Sequence, residues 1–226
     1  MTADEAGRCN RYPISRWYLR PAAAIVARML VGAAVRPTHL TMLNLLAACL
    51  AGVVLIQRPE AAPLAGAFAL LAWFFDRADG LLARMQGSHS LRGAWLDANI
   101  DELTDLGLHA VLAFAAETLT GSRLPWLLLV AFFAGKYLLM YGLNAEPGPA
   151  SAQLNEQAAV AKSPWRNALR YAYHLPGNAD VRIHLLAFAL FTGWLTAELA
   201  LVAAYYNLRW IARYVLVCRR LPGAAA

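Results

Sequence analysis

Asp76-Arg77-Ala78-Asp79-Gly80-Leu81-Leu82-Ala83-Arg84, followed after eight residues by Gly93-Ala94-Trp95-Leu96-Asp97-Ala98-Asn99-Ile100-Asp101, is the stretch on which the reading of this chain turns. Asp76, Asp79, Gly80, Ala83 and Arg84 recur at i, i+3, i+4, i+7 and i+8, so on a helix they share one face. Gly93, Asp97 and Asp101 recur at i, i+4 and i+8, one face of the next helix, with Gly87 and Ser88 in the turn between. An antiparallel pair joined this way aims four carboxylates at one space. The small residues at 80, 83 and 93 leave room for a bulky ligand against the backbone.

The surroundings of these acids are apolar. The 226 residues are 60% hydrophobic and only 15% charged, with a positive mean hydropathy, which excludes an ordinary soluble domain and points to an integral membrane protein. Carboxylates beside lipid are costly unless paired, hydrated or metal-bound, so they mark a functional site. Cys9, Cys49 and Cys218 are odd in number and scattered, which argues against a disulfide framework or a zinc site. The net charge of +6 is dispersed between apolar stretches rather than gathered in a patch, which argues against a nucleic-acid partner. The first 20 residues mix Asp4 and Glu5 with arginines and lack an apolar core, so no cleavable signal peptide is expected.

A spanning helix needs about 20 apolar residues, somewhat fewer where its ends reach the interface. Residues 37–57 carry no charge between Arg36 and Arg58. The second segment, 61–75, continues as a helix through the aspartates to Arg84; the third begins near Gly93 and turns apolar over 106–119. The fourth is 124–145, interrupted by Lys136, and the last two are 182–197 and 199–217, with Glu198 at the turn. Residues 21–35 are too short to span and carry Arg28; behind Trp17 and Tyr18 they read as a helix lying in the interface. The expected fold is an all-α integral membrane protein, six transmembrane helices preceded by an N-terminal amphipathic interfacial helix. It forms a single domain over 1–226, with 1–36 cytoplasmic or interfacial and 37–218 the six-helix bundle. Arg58 and Arg123 are the basic residues left on one side of that arrangement, so the positive-inside rule places both termini and the aspartates on the cytoplasmic side, in a bacterial-type inner membrane. The connection 146–180 is longer than a structural link requires, which favours a functional loop or short interfacial helices.

Four carboxylates converging on one space suit hard divalent cations, Mg2+ or Mn2+, which take carboxylates together with substrate phosphates. Two such ions about 3.5–4 Å apart polarise a phosphoryl group and steady a leaving oxygen. Phosphoryl chemistry is the natural inference. Ordinary solvated loop acids would account for one aspartate, not for four on two facing stripes with Arg84 one turn beyond. Asp105 extends the second stripe by a turn, as a partner of these acids or as a helix-face ion pair, while Glu102 points elsewhere.

The spacing Asp-x2-Asp-Gly-x2-Ala-Arg-x8-Gly-x3-Asp-x3-Asp, filled at every position by Asp76, Asp79, Gly80, Ala83, Arg84, Gly93, Asp97 and Asp101, resembles the signature of the CDP-alcohol phosphatidyltransferases. The resemblance implies a homodimeric membrane enzyme of phospholipid biosynthesis whose site opens at the cytoplasmic face. Such an enzyme transfers a phosphatidyl-type group from a CDP-linked lipid donor, usually CDP-diacylglycerol, to an alcohol acceptor and releases CMP. By the same resemblance Asp76, Asp79 and Asp97 hold two metal ions, and Asp101 completes the metal site and acts as the base for the attacking hydroxyl. Gly80, Ala83, Arg84 and Gly93, with Asp79, would line the CDP site. Pro37-Thr38-His39-Leu40-Thr41 resembles the family's Pro-Asn-x-x-Thr entry to its first helix, with Thr38 in place of asparagine; Thr41 is the candidate CDP contact, and a plain helix start is the other reading.

Family members using phosphorylated polyols often carry basic residues at the end of the fourth helix, where Tyr141-Gly142-Leu143-Asn144-Ala145-Glu146 has none. Arg182, Lys136 and Arg166 are the acceptor candidates, because guanidinium forks and ammonium groups suit phosphate. Two other functions compete: a metal-dependent hydrolase of CDP-lipids, with water in place of the alcohol, and an ion or metal transporter with an acidic site. Transport favours acids near mid-membrane on several helices, whereas these cluster at one boundary.

Overall fold

The computed structural model describes residues 12–88, 90–145, 165 and 172–219. Those residues hold seven helices of twelve residues or more: α1 (Leu19–Leu30), α2 (Pro37–Gln57), α3 (Ala62–Gln86), α4 (Leu91–Thr120), α5 (Leu124–Ala145), α6 (Ala179–Thr192) and α7 (Leu195–Cys218). No strand occurs among them. Local signals set the boundaries. Pro37 opens α2 at a position where its missing N–H would have had no partner anyway. The hydroxyl of Ser90 accepts from Gly93 N at 3.0 Å to cap α4, and the Asn178 side chain accepts from Asp180 N at 2.9 Å to cap α6. Gly87 (φ 61°), Gly121 (φ 68°) and Gly193 (φ 78°) end α3, α4 and α6 in the left-handed conformation.

The last of these glycines corrects the sequence reading. The turn between the final two helices lies at Gly193 rather than at Glu198, because glycine takes the left-handed conformation without steric cost. Glu198 falls in the first turn of α7, buried, with its carboxylate against His109.

The helices close into a ring in the order α2, α3, α6, α7, α5, α4 and back to α2. The most extensive contacts are α2 along α3 and α5 along α7, and α1 lies across α3. The main core runs through Ala51, Leu55, Ala65, Leu112, Phe132, Leu190 and Leu199, and a smaller cluster joins Ala23 and Ala27 of α1 to Leu40, Ala78 and Leu82. Consecutive helices α3 and α4 scarcely touch, and the gap between them is where the aspartates sit. Among the described residues two helical stretches, Pro37–Gln57 and Leu124–Asn144, are long and apolar enough to cross a membrane, with mean hydropathies of 2.1 and 1.7. The helices α3 and α4 carry the site's acids along part of their length, and α6 has only 14 residues.

The α5–α7 seam is a close approach. A Cβ on Gly135 would lie 2.8 Å from Asn207 Nδ2 and 3.0 Å from Asn207 N. That same amide donates to Ala131 O and Ala203 O, both at 2.8 Å, across the seam and along α7. Small residues at such seams let backbones approach in apolar surroundings. Gly135→Ala is therefore expected to lower the melting temperature in detergent, corresponding to roughly 1–3 kcal/mol of overpacking. Gly107→Ala, whose Cβ would meet nothing within 4 Å, serves as the control and should leave it unchanged or raise it slightly, as alanine favours the helix. Equal melting temperatures for the two variants would disprove the close seam.

Candidate active site

Asp76 and Asp79 project from α3, and Asp97 and Asp101 from α4. Asp76, Asp97 and Asp101 each offer an oxygen within 4.8 Å of the others. Asp97 Oδ1 is buried without a hydrogen-bond partner. Asp79 stands outside that group of three, and its Oδ2 accepts from Thr41 Oγ1 at 2.7 Å, which brings α2 into the site. Arg77 Nε donates to Asp76 Oδ2 at 2.7 Å. Its guanidinium is held over the rings of Tyr12 and Trp73, at 4.4 and 4.1 Å.

The four aspartates and Arg77 wall a cavity with about 160 Å³ of room for solvent, to which Gly80, Arg84 and, from the N-terminal segment, Tyr12 and Arg20 contribute, while Thr41 stands behind Asp79 and is not in the wall. Ala83 and Gly93 are not among its walls. At position 93 the capping geometry is itself a reason for glycine, since a Cβ there would come within 2.9 Å of Ser90 Oγ.

The acids lie outside the apolar segments 61–75 and 106–119, and their ionisation is strained. Burial, then the neighbouring Asp97 charge, pushes Asp79 up to about 8. Burial and Asp76 push Asp97 up to about 6. Burial, followed by the Asp76 and Asp97 charges, also raises Asp101. Three hard oxygen donors within reach of one another, one of them orphaned and only Asp76 held by a guanidinium, fit a hard divalent cation.

A second cavity of similar size, about 170 Å³, lies deeper between α2, α3, α4 and α6. Its polar wall includes Asn44, Asp101, Glu102, Asp105, His109 and Arg182. Arg182 grips Asp105 through Nε at 3.1 Å and Nη2 at 3.1 Å, and its Nη1 donates to Tyr206 OH at 2.7 Å. Lys136 Nζ lies 2.6 Å from Asp105 Oδ2 and 2.7 Å from Glu102 Oε1. Glu102 therefore does not point elsewhere: it turns inward because the Lys136 ammonium, inside an apolar helix, needs a counter-ion. His109 places Nδ1 2.6 Å from Asp105 O and Nε2 3.2 Å from Glu198 Oε1. Arg166 lies outside the described residues.

Asp101 belongs to both cavities. Asn44, His109, Glu198, Tyr12, Arg20 and Arg77 were not read from the sequence as site residues. The available signal was a polar residue inside an apolar segment, true of Asn44 in 37–57 and of His109 in 106–119. Tyr12 and Arg20 had no comparable signal.

Residues 34–218 match the family model of the CDP-alcohol phosphatidyltransferases. Over 184 residues the chain is 28% identical to the bifunctional IPC transferase and DIPP synthase of Aquifex aeolicus (strain VF5), an alignment covering 81% of this chain and 39% of that relative. Over 103 residues it is 37% identical to the phosphatidylinositol phosphate synthase of Corynebacterium glutamicum, covering 42% of this chain and 44% of the relative. The chain thus spans about two fifths of the length of these curated relatives. Because the family match takes in the four aspartates, the inner polar cavity and all six helices from α2 to α7, this chain belongs to the CDP-alcohol phosphatidyltransferase family.

Proposed function

We propose that the protein transfers a phosphatidyl-type group from a CDP-linked lipid donor, CDP-diacylglycerol by preference, to an alcohol, releasing CMP. The observation that carries this reading is the position of Asp101, which faces the carboxylate and arginine cavity on one side and the inner polar cavity on the other. A base between a donor site and an acceptor site is what transfer requires.

In this scheme Asp76, Asp97 and Asp101, with Asp79, hold Mg2+ or Mn2+, two ions in the fullest arrangement. A bound ion supplies charge neutralisation at the donor's diphosphate. Arg84 adds a guanidinium for the same phosphates, Thr41 orients Asp79, and Gly80 leaves the nucleotide close to the helix backbone. The alcohol occupies the inner cavity beside Arg182 and Lys136. Asp101 takes the hydroxyl proton as the alcohol oxygen bonds to the lipid-bearing phosphorus, and the bond from that phosphorus to the CMP oxygen breaks. Atoms and charge balance with CMP as the leaving group.

The apolar helices and the family support a membrane protein. The finer arrangement belongs to the same proposal: six spans from α2 to α7, α1 lying in the interface, the acids and both termini on the cytoplasmic side, and a homodimer.

Purified protein given Mn2+ or Mg2+, radiolabelled CDP-diacylglycerol and a panel of alcohols should release CMP only when one class of alcohol is present. Release in the absence of any alcohol would make it a hydrolase, and no release under any condition would exclude both enzymes. Asp101→Asn should reduce transfer by at least about a hundredfold while leaving CDP binding measurable. Transfer near the wild-type rate would remove Asp101 as the base.

Metal binding carries its own pH signature. Protons held by Asp79 (about 8) and Asp97 (about 6) compete with the cation, so Mg2+ affinity measured by calorimetry should rise between pH 6 and 8.5, with proton release. The stability sign runs the other way. Raised carboxylate values mean that the metal-free protein loses stability as pH climbs from about 4, through 6 for Asp97 and through 8 for Asp79, and Mg2+ should restore it at the upper end. Metal affinity and melting temperature both flat across this range would contradict the proposed metal site.

A further inference from the structure

Asp180, the second residue of α6, is fully buried and accepts hydrogen bonds from the far end of the chain. Its Oδ2 takes Ile14 N at 2.7 Å and Ser15 N at 3.0 Å. Its Oδ1 takes the Ser15 hydroxyl and, at 3.0 Å, the indole N–H of Trp73. Ser15 is also fully buried. A second tie runs in parallel: Tyr18 OH lies 2.5 Å from His184 Nε2, one turn along α6. A buried carboxylate is tolerated only when its lone pairs are satisfied, so four donors converging on it describe a built joint rather than a chance contact.

This joint fixes residues that face the aspartates. Tyr12 covers the outer face of the Arg77 guanidinium while Trp73, itself bonded to Asp180, covers another at 4.1 Å. Arg20, in the first turn of α1, lies in the wall of the same cavity. Arg77 is committed to Asp76. Arg20 and Arg84, by contrast, have no hydrogen-bond or ion-pair partner among the described residues. A cavity with four carboxylates needs unspent positive charge on its walls if it is to admit a further anion. Only one of these two guanidiniums, Arg84, belongs to the aspartate motif.

We infer that Arg20 is a second guanidinium ligand for the phosphates of the cytidine diphosphate donor, and that Asp180 is the positioning residue that seats it by clamping residues 14 and 15 to α6. This rests on the transferase reading of the cavity. It makes the N-terminal segment part of the donor site rather than a membrane anchor alone, and it joins that segment to the helix that also supplies Arg182.

CDP binding to the full-length protein in detergent with Mg2+, followed by calorimetry, tests the inference alongside steady-state transfer. Arg20→Ala should weaken CDP binding about tenfold and raise the donor KM similarly, with kcat and the acceptor KM little changed; Arg20→Lys should recover part of the loss, since lysine keeps the charge without the fork. Asp180→Asn, which presents an N–H2 to groups that are themselves donors, should also weaken CDP binding and in addition speed tryptic cleavage after Arg16. Arg20→Ala should leave that cleavage at the wild-type rate. Ser15→Ala, a gentler lesion in the same joint, should shift both readouts in the direction of Asp180→Asn, and its failure to do so would overturn the positioning role even if Asp180→Asn does not fold. Wild-type affinity for CDP in Arg20→Ala would overturn the ligand role while leaving the transferase reading intact. Wild-type protein that binds no CDP would overturn the transferase reading and this inference with it.

Discussion

Like charges brought together where water is scarce are the constraint around which this protein is arranged. Asp76, Asp97 and Asp101 place oxygens within 4.8 Å of one another, and Asp79 stands beside them. Repulsion and desolvation oppose that geometry, as the raised carboxylates record. Helical backbones hold it because rigid rods can be anchored elsewhere. α3 is fixed along α2 and under α1, α4 is fixed against α2 and α5, and the two scarcely meet between these supports. The acids therefore sit across a gap that the bundle keeps open, and the surrounding contacts supply the stability that the site itself withholds.

Charge is handled differently in the two cavities that meet at Asp101. In the outer one a single guanidinium, Arg77, is committed to a carboxylate, and Arg20 and Arg84 remain unpaired among the described residues. In the inner one Asp105 holds Arg182 and shares Lys136 with Glu102, so the ions arrive already paired. The first arrangement suits a site completed by a cation and a diphosphate. The second suits a polar surface that must survive among apolar helices before any ligand comes. His109, linking Asp105 to Glu198, extends the same paired network toward α7.

What could be read from the sequence was whatever depends on local spacing. The two acid stripes follow from helical periodicity, and the apolar segments gave the first four of the six helices from α2 to α7 to within about two residues; the last two share a misplaced boundary, where Gly193 outweighed the more visible Glu198. Contacts between distant residues could not be read in this way. Glu198 meets His109 across 89 positions, and Asp180 meets Ser15 across 165. Glu102 was assigned to the wrong direction because a stripe drawn on one helix says nothing of a lysine on its neighbour. Gly93 illustrates a different limit: a motif glycine invites a ligand explanation, while a larger residue there would also oblige the capping hydroxyl of Ser90 to shift.

The paired state of the inner cavity also bears on how an acceptor is recognised under the proposed assignment. Arg182 directs Nε and Nη2 to Asp105, and Nη1 to Tyr206 OH and Gly177 O, which leaves one of the fork's N–H groups unused. Lys136 likewise spends two of its three N–H donors on Glu102 and Asp105. A hydroxyl needs one such donor and can be accepted without disturbing the network. A phosphate dianion needs several, so it must draw Arg182 or Lys136 away from Asp105 and leave that carboxylate short of partners in a buried place. Discrimination among acceptors is therefore set less by how many cations line the cavity than by how readily Asp105 releases them. Asp105 lies one turn from Asp101, the proposed base, so under that proposal acceptor binding and proton removal meet there.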